Sequence, residues 1–446
     1  MPASPHDRLR RHYKALGAGY ETTDRRADYG RLVVPNGNAE EPFHRWFHLK
    51  EAFSSKLLGR VVKDDPDLAA KDVLLLLDPF AGGGTTLLAG LLGSPGWSGT
   101  ATGVGVERNP FLRLVAATKV AAAVCDGDAT AAKLRSAAAR VLRKAPDAAA
   151  LPLPDLVTLR TAGHYPSGAV EELLRLRAAA ETLRPGLARD LVLLCVATSL
   201  EPAGYLRRDG RALRYDPDRK PVAPREAFAA RLAVVLEDLN GRPARRTSAR
   251  VVDGDARVLT GCEDARGFDL ALFSPPYPNN IDYTEVYKTE AWLLGMYEDA
   301  KAFRAQRLTT LRSHPSIAFP ETYGDASSAD EAAVERLVAP LLAVVPTDRY
   351  TAGRTRMIRG YVEDMHAVFR RCAELANASS RLVFVVGNSA HGSGDDRFEV
   401  AADLLLCRAA ELVGWRVEEI GVARDLSRRG RGSNLLRESA VRLRLA

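Results

Sequence analysis

The sequence predicts an α/β protein whose sheet is mostly parallel and whose strands alternate with helices. An uninterrupted apolar run at 73–77 has the composition of a central parallel strand that is covered on both faces. Further apolar runs at 268–272 and 381–386 are each followed by small polar residues. In open sheets of this kind, ligands bind beyond the carboxyl ends of the strands. The residues that follow the runs are therefore the first candidates for a functional site.

The composition is that of a soluble globular protein. Of 446 residues, 46% are hydrophobic and 27% are charged. The five cysteines lie far apart and form no CxxC pair, so we expect neither a metal site nor a disulfide framework. The chain starts without the apolar core of a signal peptide and has no run of transmembrane length, which predicts a cytoplasmic protein with no membrane partner. The net charge of +7 weakly favours a polyanionic partner, although a solvated basic surface gives the same value.

Helical patterns dominate the middle of the chain, after a polar N-terminal extension at 1–41 with a loop signal at 35–38. We interpret residues 123–245 as a helical insertion that separates two segments of one domain, 42–122 and 246–446. The predicted helices in and beside the insertion lie near 111–122, 127–144, 168–184, 186–199 and 225–239.

The second segment alternates again between strands and helices. Residues 303–355 contain several prolines and have mixed polarity, which predicts either a mobile loop or a target-recognition insertion. The predicted strands lie at 247–252, 268–272, 381–386, 415–422 and 439–445, and the predicted helices lie near 356–377 and 396–412.

A glycine-rich turn follows the first apolar run, with the sequence Asp-Pro-Phe-Ala-Gly-Gly-Gly-Thr-Thr at 78–86. Glycines allow close backbone approach, and the helix predicted next offers free N–H groups at its start. A nucleoside-triphosphate loop needs a lysine before the Ser/Thr, and none is present in this turn. About twenty residues on, a predicted strand ends in Glu107, where nucleoside-binding folds place an acid against ribose hydroxyls. A surface glutamate at a strand end is the alternative.

A second unusual turn, Ser-Pro-Pro-Tyr at 274–277, follows the run at 268–272. Two consecutive prolines cannot donate to a sheet ladder, and they stiffen the exit from the strand. The Ser274 hydroxyl and the backbone carbonyls can accept hydrogen bonds from an exocyclic amino group, and the Tyr277 ring can stack on a planar base. The alternative is a tight strand-to-loop turn with a packed tyrosine.

The two turns together resemble the motifs of amino-group DNA methyltransferases, which methylate cytosine N4 or adenine N6 and use S-adenosylmethionine. The resemblance covers most of 42–120 and 247–445. It implies a Rossmann-like class I methyltransferase fold with a mostly parallel seven-stranded sheet, in which 42–122 and 246–446 form the catalytic domain. A serine in the first position of the second turn is more typical of the cytosine-N4 branch, since the adenine branch more often has Asp or Asn there.

The resemblance also implies which residues hold the cofactor. Asp78 would face its amino-acid part, Glu107 its ribose, and Asp255 its adenine, with Asp253 in reserve. The aromatic segment before the first strand would line the methionine end, and a lid packed on the sheet is a compatible alternative. The implied cofactor-binding residues are Phe43, Trp46, Asp78, Pro79, Phe80, Ala81, Gly82, Gly84, Thr85, Thr86, Glu107, Arg108, Asn109, Asp255 and Ala256.

The implied chemistry is direct methyl transfer at Ser274, Pro275, Pro276 and Tyr277, with no covalent cysteine. Because pairing hides the amine, the partner would be double-stranded DNA with the target base flipped out. Two basic loops, at 205–215 and 424–434, are candidates for phosphate contacts, and each is as readily a solvated loop. The candidate substrate-binding residues are Asn280, Asp282, Tyr283, Arg207, Arg208, Arg428 and Arg429.

Other functions fit the same motifs. Adenine-N6 methylation of DNA shares all of them, and methylation of RNA on guanine N2 uses a similar turn. A non-catalytic DNA-binding subunit of a defence complex would keep the fold without the reaction. If the chain modifies DNA, we expect a restriction or defence-system partner.

Overall fold

The structure, a computed structural model, describes residues 3–149, 151–209, 212–279, 281–319, 328–426 and 434–446. Asn280, Arg428 and Arg429 therefore lie outside the described residues. Strands and helices alternate over most of the chain, as the apolar runs predict. The strands are β1 (Thr22–Asp24), β2 (Val73–Asp78), β3 (Thr100–Glu107), β4 (Leu206–Asp209), β5 (Ala212–Tyr215), β6 (Ala249–Asp253), β7 (Leu270–Phe273), β8 (Arg381–Gly387), β9 (Ser389–His391), β10 (Phe398–Val400), β11 (Trp415–Asp425) and β12 (Arg437–Leu445).

The helices vary from a single turn to 25 residues. No helix in the described ranges combines the length and the apolar character needed to cross a membrane. The α-helices are α1 (Pro5–Gly17), α2 (Arg26–Tyr29), α3 (Leu57–Lys63), α4 (Pro66–Ala69), α5 (Thr85–Leu92), α6 (Pro110–Val124), α7 (Gly127–Lys144), α8 (Val157–Arg160), α9 (Ala169–Glu181), α10 (Leu187–Thr198), α11 (Pro224–Leu239), α12 (Tyr283–Val286), α13 (Lys288–Leu293), α14 (Ala300–Leu308), α15 (Ser328–Leu342), α16 (Thr351–Leu375) and α17 (Ala402–Glu411).

The described residues form a main sheet in the order β1-β11-β12-β8-β7-β2-β3-β6, in which β12 alone runs antiparallel to its neighbours. The α/β class and the mostly parallel sheet are confirmed. Strand order reverses between β2 and β7, which is the switch point of a doubly wound sheet. The predicted count of seven strands was wrong, because β1 adds an eighth strand in parallel to the edge of β11.

The central strands are buried on both faces, which is the physical reason for their continuous apolar character. Leu76 and Leu272 belong to the core on one face, whereas Leu77 and Phe273 belong to the core on the other. Each of these four side chains is at most 1% exposed. The alternation fixes the register, since a shift by one residue would exchange the two cores.

The helices predicted near 111–122, 127–144, 168–184, 186–199 and 225–239 are confirmed as α6, α7, α9, α10 and α11. Helices α7 to α11 fall within the interval 123–245, whose boundaries as a separate insertion remain a prediction. Their buried side chains belong to the same apolar core as Leu76 of the sheet. The predicted basic loop at 205–215 contains the hairpin of β4 and β5.

The N-terminal extension has regular structure that its polar composition did not predict. Helix α1 begins after Ser4, whose side chain accepts a hydrogen bond from the Asp7 N–H, and it buries only Leu9 and Tyr13. Two buried apolar residues in a helix of thirteen, most of which is polar, give a weak helical signal. The Tyr13 hydroxyl donates to the Glu399 carbonyl at 2.9 Å, so a contact almost 390 residues away in sequence stabilises this segment.

A buried carboxylate connects the helical region to the segment before β2. Asp238 in α11 is 4% exposed and accepts hydrogen bonds from the Phe43 N–H (2.8 Å), the Trp46 indole (2.7 Å) and the Arg45 guanidinium (2.6 Å). Its partners include two N–H groups that would otherwise be buried without acceptors. Asp238 therefore fixes the backbone of residues 43–46 against α11.

We expect Asp238→Ala to lower the free energy of unfolding by about 3 kcal/mol, because it leaves buried donors and a partly buried guanidinium without an acceptor. Urea denaturation would measure the loss. Glu237→Ala is a matched control, since Glu237 is the preceding residue and pairs with the same arginine at 2.9 Å, but its side chain is 70% exposed. Its removal should cost less than about 1 kcal/mol. Equal losses for the two variants would contradict this role of Asp238.

Candidate functional site

A cavity of about 420 Å³ lies at the carboxyl ends of β2 and β7 and is lined by both unusual turns. These strands are parallel neighbours, with Leu76 opposite Leu270 and Leu77 opposite Ala271. Because both strands end at the same edge of the sheet, the residues that follow them meet across the switch point. The cavity is large enough for a small ligand and is partly open to solvent.

The glycine turn is held by hydrogen bonds to the neighbouring strand. The Ala81 N–H donates to the Val106 carbonyl at 2.9 Å, and the Gly82 N–H donates to the Glu107 carboxylate at 2.8 Å. Gly82 has a φ of 53° and Gly84 a φ of 82°, which is the region that favours glycine. A Cβ on Gly84 would lie 3.3 Å from the Ala116 Cα, so this glycine also lets α6 approach α5.

Most of the predicted residues of this turn line the cavity, namely Asp78, Pro79, Phe80, Ala81, Gly82 and Thr85. Gly84 and Thr86 do not. Gly84 faces α6, and the buried Thr86 hydroxyl donates to the Leu272 carbonyl at 3.1 Å, which ties α5 to β7. These two residues support the turn from behind.

Two carboxylates lie together under the turn. Asp78 is 2% exposed and accepts a hydrogen bond from the Phe80 N–H at 3.0 Å. Glu107 accepts from the Gly82 N–H at 2.8 Å and the Asn109 N–H at 2.7 Å. Burial raises the pKa of each group to about 7, against the opposing effect of these bonds, and the nearby Asp78 also raises the pKa of Glu107. A cation in the cavity would favour the ionised form of both.

The far side of the cavity is formed by residues that follow β3 and β6. Arg108, Asn109, Asp255 and Ala256 all line it. Asn109 also caps α6 by accepting from the Phe111 N–H at 3.0 Å. Asp255 is bound on both carboxylate oxygens by Arg257, at 2.9 and 2.6 Å. The reserve candidate, Asp253, lies outside the cavity and pairs with Arg113.

The aromatic residues Phe43 and Trp46 are placed elsewhere, which corrects the expected contact with a ligand. Phe43 is fully buried, and its ring stacks on Trp46 with the centroids 4.6 Å apart. Both are held by Asp238 in α11, so they serve the core. The residues of the same segment that do line the cavity are Leu49, Lys50, Glu51, Ala52 and Phe53.

The Ser-Pro-Pro-Tyr turn borders the cavity with all four of its residues, Ser274, Pro275, Pro276 and Tyr277. The Ser274 hydroxyl lies 3.1 Å from the Val385 carbonyl and 3.2 Å from the Tyr277 hydroxyl. The Tyr277 hydroxyl donates to the Glu438 carboxylate at 2.7 Å, and burial raises the pKa of Tyr277 well above its usual value. Glu438 also lines the cavity, although no local pattern in the sequence points to this residue.

Two further residues predicted to contact substrate lie beside this turn. The Tyr283 hydroxyl accepts from the Tyr277 N–H at 3.4 Å, and Asp282 caps α12 by accepting from the Thr284 N–H at 3.0 Å. Asp282 also pairs with Arg307 of α14. Both line the cavity, and their contact with a substrate remains a prediction.

Arg207 and Arg208 of the basic hairpin have different environments. Arg208 is 9% exposed, pairs with the buried Glu290 of α13, and stacks on the Tyr287 ring at 4.7 Å. It is therefore not available to a phosphate, which corrects the prediction for this residue. Arg207 is exposed and lies 3.6 Å from Asp216, so a phosphate contact by Arg207 remains a prediction.

The chain shows distant sequence similarity to type II methyltransferases. It is 24% identical over 432 residues to type II methyltransferase M.AvaI of Nostoc sp., and equally to M.AvaI of Anabaena variabilis, with 87% of this chain and 82% of each relative covered. It is 23% identical over 435 residues to type II methyltransferase M.BsoBI of Geobacillus stearothermophilus, with 86% and 81% covered. These similarities agree with the resemblance of the motifs.

No model of a protein family matches the chain. Among solved structures, the rRNA methyltransferase AviRa of Streptomyces viridochromogenes is 14% identical, with 88% of this chain and 85% of that chain covered. The TM-score is 0.27, and a superposition this poor supports no conclusion about fold or substrate.

The raised pKa of Asp78 predicts a pH-dependent stability. Its ordinary pKa is 3.8 and its folded value is about 7, so the native state keeps a proton that the unfolded chain loses. The proton on Asp78 therefore contributes to the free energy of unfolding. This stabilisation is fully present below pH 4 and is lost as the pH rises to 7, by up to about 1.4 kcal/mol per pH unit. Asp78→Asn should remove it.

Between pH 5 and pH 7 the wild type should lose about 2 kcal/mol of unfolding free energy that Asp78→Asn does not lose. The unfolding free energy of the variant should therefore rise by that amount relative to the wild type. Urea denaturation without added ligand would measure this. Asp253→Asn is the control, because its side chain is 57% exposed and lies outside the cavity. If the curves of Asp78→Asn and wild type stay parallel over this range, Asp78 does not hold the proton.

Proposed function

We propose that this protein is an S-adenosylmethionine-dependent methyltransferase that modifies the exocyclic N4 of cytosine in double-stranded DNA. One observation carries the proposal: a single cavity is bordered by a glycine turn that lies over the carboxylates of Asp78 and Glu107 and by a Ser-Pro-Pro-Tyr turn rich in acceptors. The similarity to type II methyltransferases supports the reaction class. The wide coverage of those relatives supports assigning the reaction to the whole chain.

The residues present fit S-adenosylmethionine. The cofactor carries an ammonium group and a sulfonium, and the carboxylates of Asp78 and Glu107 are chemically suited to a cation. Asp78 would hold the amino-acid part, Glu107 the ribose hydroxyls, and Asp255 the adenine amino group. When bound, the cofactor supplies an electrophilic methyl group. Leu49 to Phe53, which also line the cavity, would exclude water from it.

Ser274 and Pro275 would prepare the nucleophile. The exocyclic amine of cytosine is a weak nucleophile because its lone pair is delocalised into the ring. Hydrogen bonds from its two N–H groups to the Ser274 hydroxyl and the Pro275 carbonyl would favour a pyramidal nitrogen, on which the lone pair is available. Tyr277 would stack on the flipped base and hold its nitrogen in line. Positioning and electrostatics therefore supply the acceleration.

The target base is assigned to cytosine because a serine, rather than an acid or amide, begins the second turn. Adenine N6 is the second candidate, since the same acceptors can bind its amine. The similarity to type II methyltransferases favours a restriction enzyme of the same specificity as the functional partner. It also favours a catalytic protein over a non-catalytic DNA-binding subunit.

Transfer of a radiolabelled methyl group to duplex DNA and to RNA, followed by nucleoside analysis, tests the proposal. We expect N4-methylcytosine from duplex DNA. N6-methyladenine would move the assignment to the second candidate, and N2-methylguanine from RNA would replace the substrate. No transfer to any nucleic acid would refute the proposed reaction.

Two substitutions should separate cofactor binding from methyl transfer. Asp78→Ala removes a charged partner of the ligand, so S-adenosylmethionine affinity should fall at least about 30-fold by calorimetry. Tyr277→Ala should leave that affinity intact but lower methyl transfer about 10- to 100-fold, because it removes the surface on which the base stacks.

The control for the second variant is Tyr350→Ala, because Tyr350 is 51% exposed and lies outside the cavity. It should transfer methyl groups at the wild-type rate. Full activity of Tyr277→Ala would exclude the stacking role.

A further inference from the structure

Glu438 is a buried carboxylate that lies beside the cavity, near the start of β12. Strand β12 runs antiparallel to the rest of the main sheet, so its second residue lies at the edge where the parallel strands end. Glu438 stands directly opposite Gly387 of β8 and Arg424 of β11, and it borders the cavity. Its side chain is 3% exposed and pairs with the Arg424 guanidinium.

Gly387 leaves the space through which Tyr277 reaches this carboxylate. A Cβ on Gly387 would lie 2.8 and 2.9 Å from two carbons of the Tyr277 ring. Residues directly opposite one another in an antiparallel pair share one face of the sheet. The ring therefore lies over the glycine and places its hydroxyl 2.7 Å from Glu438.

The hydrogen bonds from Ser274 to Glu438 run in one direction. A carboxylate only accepts, so the single proton of the Tyr277 hydroxyl is donated to Glu438. Tyr277 can then accept from Ser274 but cannot donate to it. The Ser274 proton goes to Tyr277 or to the Val385 carbonyl, and no described residue donates to the Ser274 oxygen. The Ser274 lone pairs stay available to an N–H group in the cavity.

We propose that Glu438 is a positioning residue for methyl transfer, which rests on the function proposed above. It acts through Tyr277 in two ways. It fixes the plane of the stacking ring, and it keeps Ser274 as a hydrogen-bond acceptor for the amine of the substrate. Without Glu438, the Tyr277 hydroxyl is free to donate to Ser274 and compete with that amine.

Steady-state methyl transfer to duplex DNA tests this role. We expect Glu438→Ala to lower kcat about 10- to 100-fold, because one charged hydrogen bond no longer orders the turn. The KM for DNA and the affinity for S-adenosylmethionine should change less than about threefold. Tyr277→Phe keeps the ring but removes the same bond, so it should also lower kcat. The double variant should be no slower than the slower single variant, since both act through one hydroxyl.

Gly387→Ala should also break the hydrogen bond between Tyr277 and Glu438. The added methyl group would push the Tyr277 ring away while Glu438 remains in place. The variant should lower kcat with little change in cofactor affinity, and it keeps the test valid if Glu438→Ala does not fold. The matched control is Glu419→Ala, which removes a carboxylate from the adjacent β11 that pairs with Arg25 and lies outside the cavity. Its kcat should equal that of the wild type.

The outcomes separate this inference from the proposed function. If the wild type transfers no methyl group, the proposed function fails. If the wild type is active and Tyr277→Phe and Gly387→Ala both match it, the inference alone is refuted. Multiplicative losses in kcat for Glu438→Ala and Tyr277→Phe would also refute it, because the two residues would then act independently.

Discussion

The parallel pairing of β2 with β7 is the constraint on which the site depends. Both strands supply side chains to both apolar cores, so neither can shift by one residue without exchanging the two faces. Since they run in the same direction, Asp78 and Ser274 emerge at one edge of the sheet. A turn that lies over two carboxylates and a turn with free acceptors consequently share a cavity. The packing of the sheet, rather than any contact between the turns, determines this arrangement.

The two carboxylates under the glycine turn lose part of their hydration, and this desolvation lowers the free energy of unfolding when they are ionised. Their backbone hydrogen bonds offset only part of the desolvation, so both pKa values rise to about 7. A positively charged ligand favours the ionised pair and would stabilise the folded state as it binds. Affinity for a cationic ligand and stability of the free protein are therefore opposed at this position.

The sequence predicted the elements whose signal lies within one segment. The apolar run at 73–77 gave β2, and the helical periods gave α6, α7 and α10 with nearly correct bounds. It failed where a residue depends on partners far away in the chain. Strand β1 exists because β11 offers it an edge, and Arg208 is buried because Glu290 and Tyr287 receive it. Glu438 reaches the cavity only because β12 reverses direction, which no local pattern records.

The contacts of Arg208 limit how this protein can be re-engineered. Its hairpin is bound to the cavity wall twice: the Arg208 guanidinium stacks on Tyr287, whose hydroxyl binds Glu51, and the Arg208 carbonyl accepts from Lys50 at 2.7 Å. Glu51 and Lys50 themselves line the cavity. In a chimera, the hairpin and helices of another protein would have to supply an equivalent of Arg208. Without one, the contacts that hold Tyr287 and Lys50 in the cavity wall would be lost. The helical region is thus not an interchangeable module.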